Sequence, residues 1–435
     1  IYLAALSASE MEAPVRELLA LAESSGDRLS EGSAHTRLAV IAFERGDDDA
    51  IWAHADAAIA ALEPLGDSAE LADALRLTGW VRWRRGVPAD AEPVLRRAVE
   101  IAQRVHAPVI SAEATQDLAI AVSMLGRGDE AIVLIEEAYR LAKASGNLNV
   151  LMRINNNYPS TTETWTSDFA RSREILLEGE ELARKAGVRT NLGWILGSLG
   201  DNAAIVGDLR DAERYQREAV DLAREVASDP LLGMRLNALG YVLAGQGRLD
   251  EARGALAASE RLSRANPEPQ NEMPLRLSLA LVAWLSGDHD GAARELAPAV
   301  ESSREYHVDF LADGFVLLVR TLVELGRREE ADGFRDLTRE AVAPYARAMG
   351  LAVDGLLAAD PREAVTLLRE AAEGLGSLGV QTDRGAVLLD LARAEARAGE
   401  DGRPTLAAAR ELLTSVGAFG WLARADAIEA EIGGS

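Results

Sequence analysis

The chain has 435 residues, 48% of them hydrophobic, with no cysteine and a formal net charge of -24 at pH 7. Lack of cysteine excludes a disulfide framework, a thiolate metal site and a cysteine nucleophile, and so acidic a balance repels nucleic-acid phosphates, which are gripped by clustered Lys and Arg. No apolar run reaches the roughly 18 residues of a membrane span and no basic stretch precedes a signal-type core, so a cytoplasmic chain that binds neither nucleic acid nor membrane is expected.

The opening "IYLAALSASE" reads at once as helix and carries no starting Met, which suggests a piece cut from something longer; residues 1–29 are expected to form a truncated leading helix. From about Ser30 a short signature recurs: Gly, a few polar residues, an acidic residue and Ala, as in "RGDDDA", "GRGDEA", "GRLDEA" and "GRREEA". Its alanines are Ala50, Ala91, Ala131, Ala170, Ala212, Ala252, Ala292, Ala331, Ala364 and, more weakly, Ala407, at intervals of 41, 40, 39, 42, 40, 40, 39, 33 and 43. Each copy lies between two helix-like stretches, so the chain reads as one continuous all-α solenoid of about ten helix pairs. The main repeats would occupy 30–380 and a C-terminal capping repeat 381–435.

Small residues recur twelve positions before the anchor (Gly79, Ala119, Gly200, Gly240, Ala280), with a leucine one position earlier (Leu118, Leu199, Leu239, Leu279). Small side chains let two helices approach closely while the leucine fills the space beside them. The signature's Gly is expected to end the first helix in a left-handed cap, and its acidic residue to open the second at the positive end of the helix dipole.

One stretch breaks the pattern. "RINNNYPSTTETW", Arg153 to Trp165, falls where the first helix of the fourth unit (150–187) belongs. Anchored on Ala170, it puts Tyr158 in the small-residue slot and Pro159 inside the helix, where proline removes a hydrogen bond and costs about 3 kcal/mol. Thr161, Thr162 and Thr164 compete for backbone partners. The helix is expected to be kinked, shortened or opened near Pro159, either as a tolerated irregularity or as the shaping of a pocket.

Enzyme signatures fail. His35, His54, His106, His289 and His307 are scattered without metal-ligand spacing, and no phosphate loop is present. "GLGSLG" at Gly374, Gly376 and Gly379 formally matches a dinucleotide fingerprint but follows a helix instead of a strand, so it reads as a repeat terminus. No cofactor or metal is expected, and no catalysis.

"LNALGYVLAGQGRLDEARGAL", Leu236 to Leu256, resembles the tetratricopeptide repeat in its Leu-Gly, turn and Ala spacing, with a longer second helix than that family's usual unit. A HEAT or armadillo array is the alternative of similar period. Endings such as "RLAKASGN", "ELARKAGV" and "DLAREVASD", and the C-terminal "AARELLTSVGAFGWLARADAIEAEIG", are similar to the regulatory arms of bacterial maltose-activator-like and LuxR-type regulators, signal-transducing ATPases and some cyclases. The tetratricopeptide resemblance implies a curved array whose concave face is lined by the first helix of each unit. By register, Arg76, Trp80, Trp83, Asn155, Trp194, Asn237 and Tyr241 would line that face, with Asn155 and Asn237 in equivalent slots. Trp and Tyr supply rigid contact area and the amides pair with a peptide backbone, while the alternative for the aromatics is packing between units. The expected function is a non-catalytic sensory or scaffold arm that binds a protein, peptide or small-molecule effector. The alternative is a free-standing adaptor or peptide receptor, and a homo-oligomer is compatible with either.

Overall fold

The computed structural model describes residues 8–265, 269–302, 312–339 and 341–433, and every regular element among them is helical. In order these are α1 (Ala8–Ser25), α2 (Arg28–Glu44), α3 (Asp48–Leu62), α4 (Ala69–Arg84), α5 (Pro88–Arg104), α6 (Pro108–Met124), α7 (Gly128–Ser145) and α8 (Leu148–Thr166). Then come α9 (Phe169–Ala186), α10 (Arg189–Val206), α11 (Leu209–Glu225), α12 (Asp229–Gly245), α13 (Leu249–Ala265), α14 (Pro269–Leu285) and α15 (His289–Ser302). The last are α16 (Ala312–Glu324), α17 (Arg328–Asp332), α18 (Arg335–Arg339), α19 (Pro344–Leu357), α20 (Pro361–Ser377), α21 (Gln381–Arg397), α22 (Arg403–Ser415) and α23 (Leu422–Gly433). From α2 on, even-numbered helices up to α16 open the pairs, and each packs on its successor. Residues 1–7 of the expected leading helix, and His307, lie outside the described residues. The chain divides into two compact units, one of 1–157 with 266–270 and one of 158–265 with 271–435, so α8 crosses from the first to the second.

The turn inside each pair is built as its signature implies. Gly46, Gly86, Gly126, Gly207, Gly247, Gly287 and Gly326 all adopt positive φ, where a side chain would be strained. After Gly46, Gly207 and Gly287 an aspartate caps the second helix: Asp47, Asp208 and Asp288 accept the N–H of Ala50, Asp211 and Gly291 at 3.1, 3.1 and 2.8 Å. Four residues after the capping position, the anchor enters the interface between the paired helices. Ala91, Ala131, Ala212, Ala252, Ala292 and Ala331 are fully buried.

Three of the ten anchors are displaced. Ala170 and Ala407 are exposed and Ala50 only half-buried, whereas Ile51, Ser172 and Leu406 occupy the buried position four residues past the turn. The slot demands a side chain that fits between two helices, not alanine as such. Re-anchored, the intervals from Ile51 to Ala292 close to 40 or 41 residues.

The correction propagates into α8. Its burial pattern matches the other first helices when Tyr158 is aligned with the buried Leu118, Leu199 and Leu239, and Pro159 with Gly79, Ala119, Gly200 and Gly240. Asn155 then stands where Leu75, Thr115, Leu196 and Leu236 pack, and it is Asn156, not Asn155, that shares the slot of Asn237. Nor is the helix shortened or opened. It runs unbroken through Pro159, and its threonines bond their own helix, Thr162 Oγ1 donating to Tyr158 O at 3.0 Å and Thr164 Oγ1 to Ser160 O at 2.9 Å. The glycine of the following turn is replaced by Ser167, which takes φ 54°.

In the second unit some contacts skip several helices. Tyr345 on α19 donates its backbone N–H to Ser167 Oγ at 3.0 Å, and its ring meets Phe169 edge-on with centroids 6.5 Å apart. A Cβ at Gly207 would lie 3.0 Å from Gln381 Cβ on α21, and one at Gly420 only 2.5 Å from the carbonyl oxygen of Ala244 on α12.

Candidate binding faces on the first helices

In the first unit α4, α6 and α8 follow one another at the repeat spacing, so equivalent positions come side by side. Asp73, Glu113 and Arg153 occupy one such row, and Arg76 lies one turn along from Asp73. Arg76 donates to Asp73 at 2.7 Å and to Asp117 at 3.3 Å. From the other side Arg153 donates to Asp117 at 2.6 Å and to Glu113 at 3.0 Å. Asp117 has no exposed surface and is held between two guanidiniums, a geometry in which charge-assisted bonds offset desolvation. Burial lowers the basicity of Arg76, but Asp73, Glu113 and Asp117 outweigh it and hold its pKa above the ordinary arginine value.

Of the residues expected to face a ligand in this unit, Arg76 and Trp80 keep partial exposure. Trp80 meets Phe43 at a tilt of 55°, centroids 4.5 Å apart, with the Arg84 guanidinium 5.2 Å from its ring centroid. Trp83 belongs instead to the core, packed with Leu95, Leu118 and Val122, and its indole N–H is buried without a partner among the described residues. Asn155 is also removed from the face: it is fully buried and both of its amide atoms lack a partner among the described residues. The residues missed by sequence reasoning are Asp117 and Arg153. The 40-residue recurrence of Asp73, Glu113 and Arg153 was the available signal, hidden by the misplaced anchor.

The second unit contributes Trp194 and Tyr241, both half-buried, and Asn237, which is buried with its carbonyl oxygen unpaired among the described residues. Near them Asp201 accepts from Arg235 at 3.0 Å and from Gln216 at 2.7 Å. Glu163, in the divergent helix α8, accepts from Asn202 Nδ2 at 2.6 Å. Burial pushes this carboxyl up to about 8, against the opposing hydrogen bonds from Asn202 and Ser172 and with help from Asp201, so at neutral pH it carries its proton. Tyr241 lies in electrostatic reach of Asp313 and Asp383, and burial followed by those two charges raises its pKa. Asp383 accepts the Tyr345 hydroxyl at 2.9 Å, while burial and then Asp383 push Asp313 up to about 6.

Two of the histidines expected to be scattered do meet: His35 and His54 face each other with Nδ1 atoms 3.0 Å apart, and burial lowers both pKa values. Among the described residues no three His, Asp or Glu side chains are placed to hold a metal ion, and no helix is long and apolar enough to cross a membrane.

No family model and no curated protein matches the sequence. Solved structures do. A Rap protein complexed with Competence and Sporulation Factor aligns with TM-score 0.62 at 10% identity, over 80% of this chain and 99% of that one. NprR in complex with its cognate peptide NprX gives 0.55 at 12%, over 79% and 99%, and the Cut9–Hcn1 hetero-tetramer of the APC/C gives 0.55 at 16%, over 89% and 67%. Identities this low carry the fold alone: an all-α solenoid of tetratricopeptide-like helix pairs.

Proposed function

We propose that the chain is a non-catalytic arm that binds a peptide or a protein segment through the first-helix faces of its repeats. The carrying observation is the row of partly exposed charged and aromatic side chains on α4, α6 and α8, where Arg76, Glu113 and Arg153 alternate in sign beside Trp80. An extended peptide offers backbone amides, charged side chains and apolar groups at a spacing that such a row can meet. In the second unit Trp194 and Tyr241 occupy first-helix positions with partial exposure and belong to the same reading. The solved structures of similar fold include NprR and a Rap conjugation regulator in complex with peptides, which supports a peptide over a small molecule. A sensory arm of a larger signalling protein is the form we favour over a free-standing adaptor, on the repeat endings that resemble regulator arms.

An array of short peptides scanned against the labelled protein tests this reading. Selected peptides should lose at least about tenfold in affinity, or ~1.4 kcal/mol, when Trp80 and Arg76 are replaced by alanine, with the helical signal retained. Saturable binding unaffected by either substitution, or turnover of a phosphate-ester, peptide or glycoside substrate traced to one residue, would count against it.

A further inference from the structure

A second kind of site lies in the second compact unit. A half-open cavity of about 250 Å³ is bounded by α16, the start of α17, the junction of α19 and α20, α21 and α23. Five arginines line it, Arg320, Arg328, Arg393, Arg397 and Arg424, against two carboxylates, Asp390 and Glu324. In a chain whose net charge is -24, this local surplus of positive charge runs against the composition.

The carboxylates are already committed. Asp390, almost wholly buried, accepts from Arg320 Nε at 2.7 Å and from Arg424 Nη2 at 3.0 Å. Glu324 Oε1 accepts from Arg393 Nη1 at 2.6 Å and from Arg424 Nη1 at 2.8 Å. A third acid, Glu431, takes two further bonds from Arg393, both at 2.7 Å. Burial raises the pKa of Asp390, but Arg320 and Arg424 outweigh it and hold the group below the usual carboxylate range, so it stays ionised and its single charge is shared by these two guanidiniums.

Donors remain unspent. Arg320 is buried to 4% exposure, and its Nη2 has no partner among the described residues; the same holds for the buried Nε of Arg424. Arg328 reaches only a backbone carbonyl, that of Ala358 at 2.8 Å, and no ion pair is recorded for it or for Arg397 among the described residues. Desolvation and then the like charge of Arg393 depress the pKa of Arg397, against the opposing charges of Glu431 and Glu324. A buried guanidinium N–H left unpaired is destabilising, and fork-shaped donors of this kind match planar or tetrahedral oxyanions.

We infer that this cavity is a binding site for a compact oxyanion carrying two or more negative charges, of the phosphate-ester or small polycarboxylate class, held between Arg320 at its floor and Arg328 and Arg397 at its mouth. The volume lies just below the range of about 300–1,000 Å³ typical of drug-sized ligands, which favours a small metabolite-like anion over a nucleotide or a protein segment.

Calorimetric titration of the full chain with pyrophosphate and, separately, with citrate tests the site, at ionic strength held constant with sodium chloride. Saturable binding of at least one anion is expected, with a melting temperature that climbs with the logarithm of its concentration. A preference for pyrophosphate assigns the phosphate class, and a preference for citrate the polycarboxylate class. In the double variant Arg328→Gln/Arg397→Gln, whose changes lie on exposed side chains, affinity should fall at least about tenfold while the melting temperature without anion stays as in the parent. Absence of saturable binding for both anions overturns the inference, as does equal affinity in the double variant.

Discussion

Arg153 Nη2 and Asp117 Oδ1 meet at 2.6 Å across 36 positions of sequence, and Arg76 holds the other oxygen of the same carboxylate. The pair joins adjacent first helices of the array, and it does so with a carboxylate that water does not reach. Removing one partner from such a site leaves buried charge uncompensated. Asp117→Ala should therefore destabilise the protein by about 3 kcal/mol, read as an earlier thermal or denaturant transition. Arg153→Met, whose partner retains Arg76, should cost less. Equal, negligible losses in both would show that the row contributes charge pattern but little stability.

Asn155 yields a prediction of opposite sign. It stands in a slot that other repeats fill with Leu75, Leu196 or Leu236, and its amide is buried with no partner among the described residues. Replacing an unsatisfied buried amide by an apolar group of similar volume removes a desolvation cost of about 1–3 kcal/mol. Asn155→Leu should raise the melting temperature, whereas Asn155→Ala should leave a cavity and lower it. A drop in both would indicate that the amide has a bound partner in solution.

Glu163 sets a pH dependence. Its pKa is about 8 in the folded chain against an ordinary 4.5, so between these values the native state binds a proton that the unfolded state has released. Stability then falls as pH rises across that window, and the full penalty stands above pH 8. Glu163→Gln keeps an acceptor for Asn202 and removes the titration. It should be more stable than the parent at pH 9, by on the order of 1–3 kcal/mol, with the gap closing toward pH 5. Thermal melts of both proteins across pH 5–9 give the comparison, and a constant gap would rule out this carboxyl as the cause.

Close packing of paired helices can be tested at Gly240. A Cβ there would sit 2.6 Å from Leu256 Cδ2 and 3.4 Å from the carbonyl of Ala252, closer than the leucine branch tolerates. Gly240→Ala is expected to destabilise by about 1–3 kcal/mol despite the better helix propensity of alanine. The same change at Gly254, which has nothing within 4 Å, should be neutral or slightly stabilising. Similar behaviour of the two variants would show that the helices are not packed this tightly.

The repeat period, the turn glycines and the aspartate caps were legible in the sequence because each reflects a local demand that recurs every 40 residues or so. What escaped was anything that depended on the identity of one copy. Ser172 could not be told from Ala170 as the anchor without knowing which side chain was buried, and the resulting register, one residue off along α8, carried Asn155 into a ligand-facing slot. Row partners such as Asp73 and Arg153 differ by multiples of the period and were findable. Arg320 and Asp390, 70 positions apart, are not, since their meeting follows from how later helices pack on α16 and not from the repeat.

The hydrogen bond from Tyr345 to Ser167 joins positions 178 apart in the second unit. A linear stack in which each repeat touches only its neighbours can start folding anywhere and lose its ends by fraying. Here the turn after α8 is fastened to α19, and α12 meets Gly420 near the C-terminal helix, so much of the intervening chain lies within a closed circuit. Closing that circuit requires an entropic cost before its contacts form. The second unit should then assemble late and melt in a single step, with amide protection spread evenly along its inner helices in place of a gradient falling toward one end.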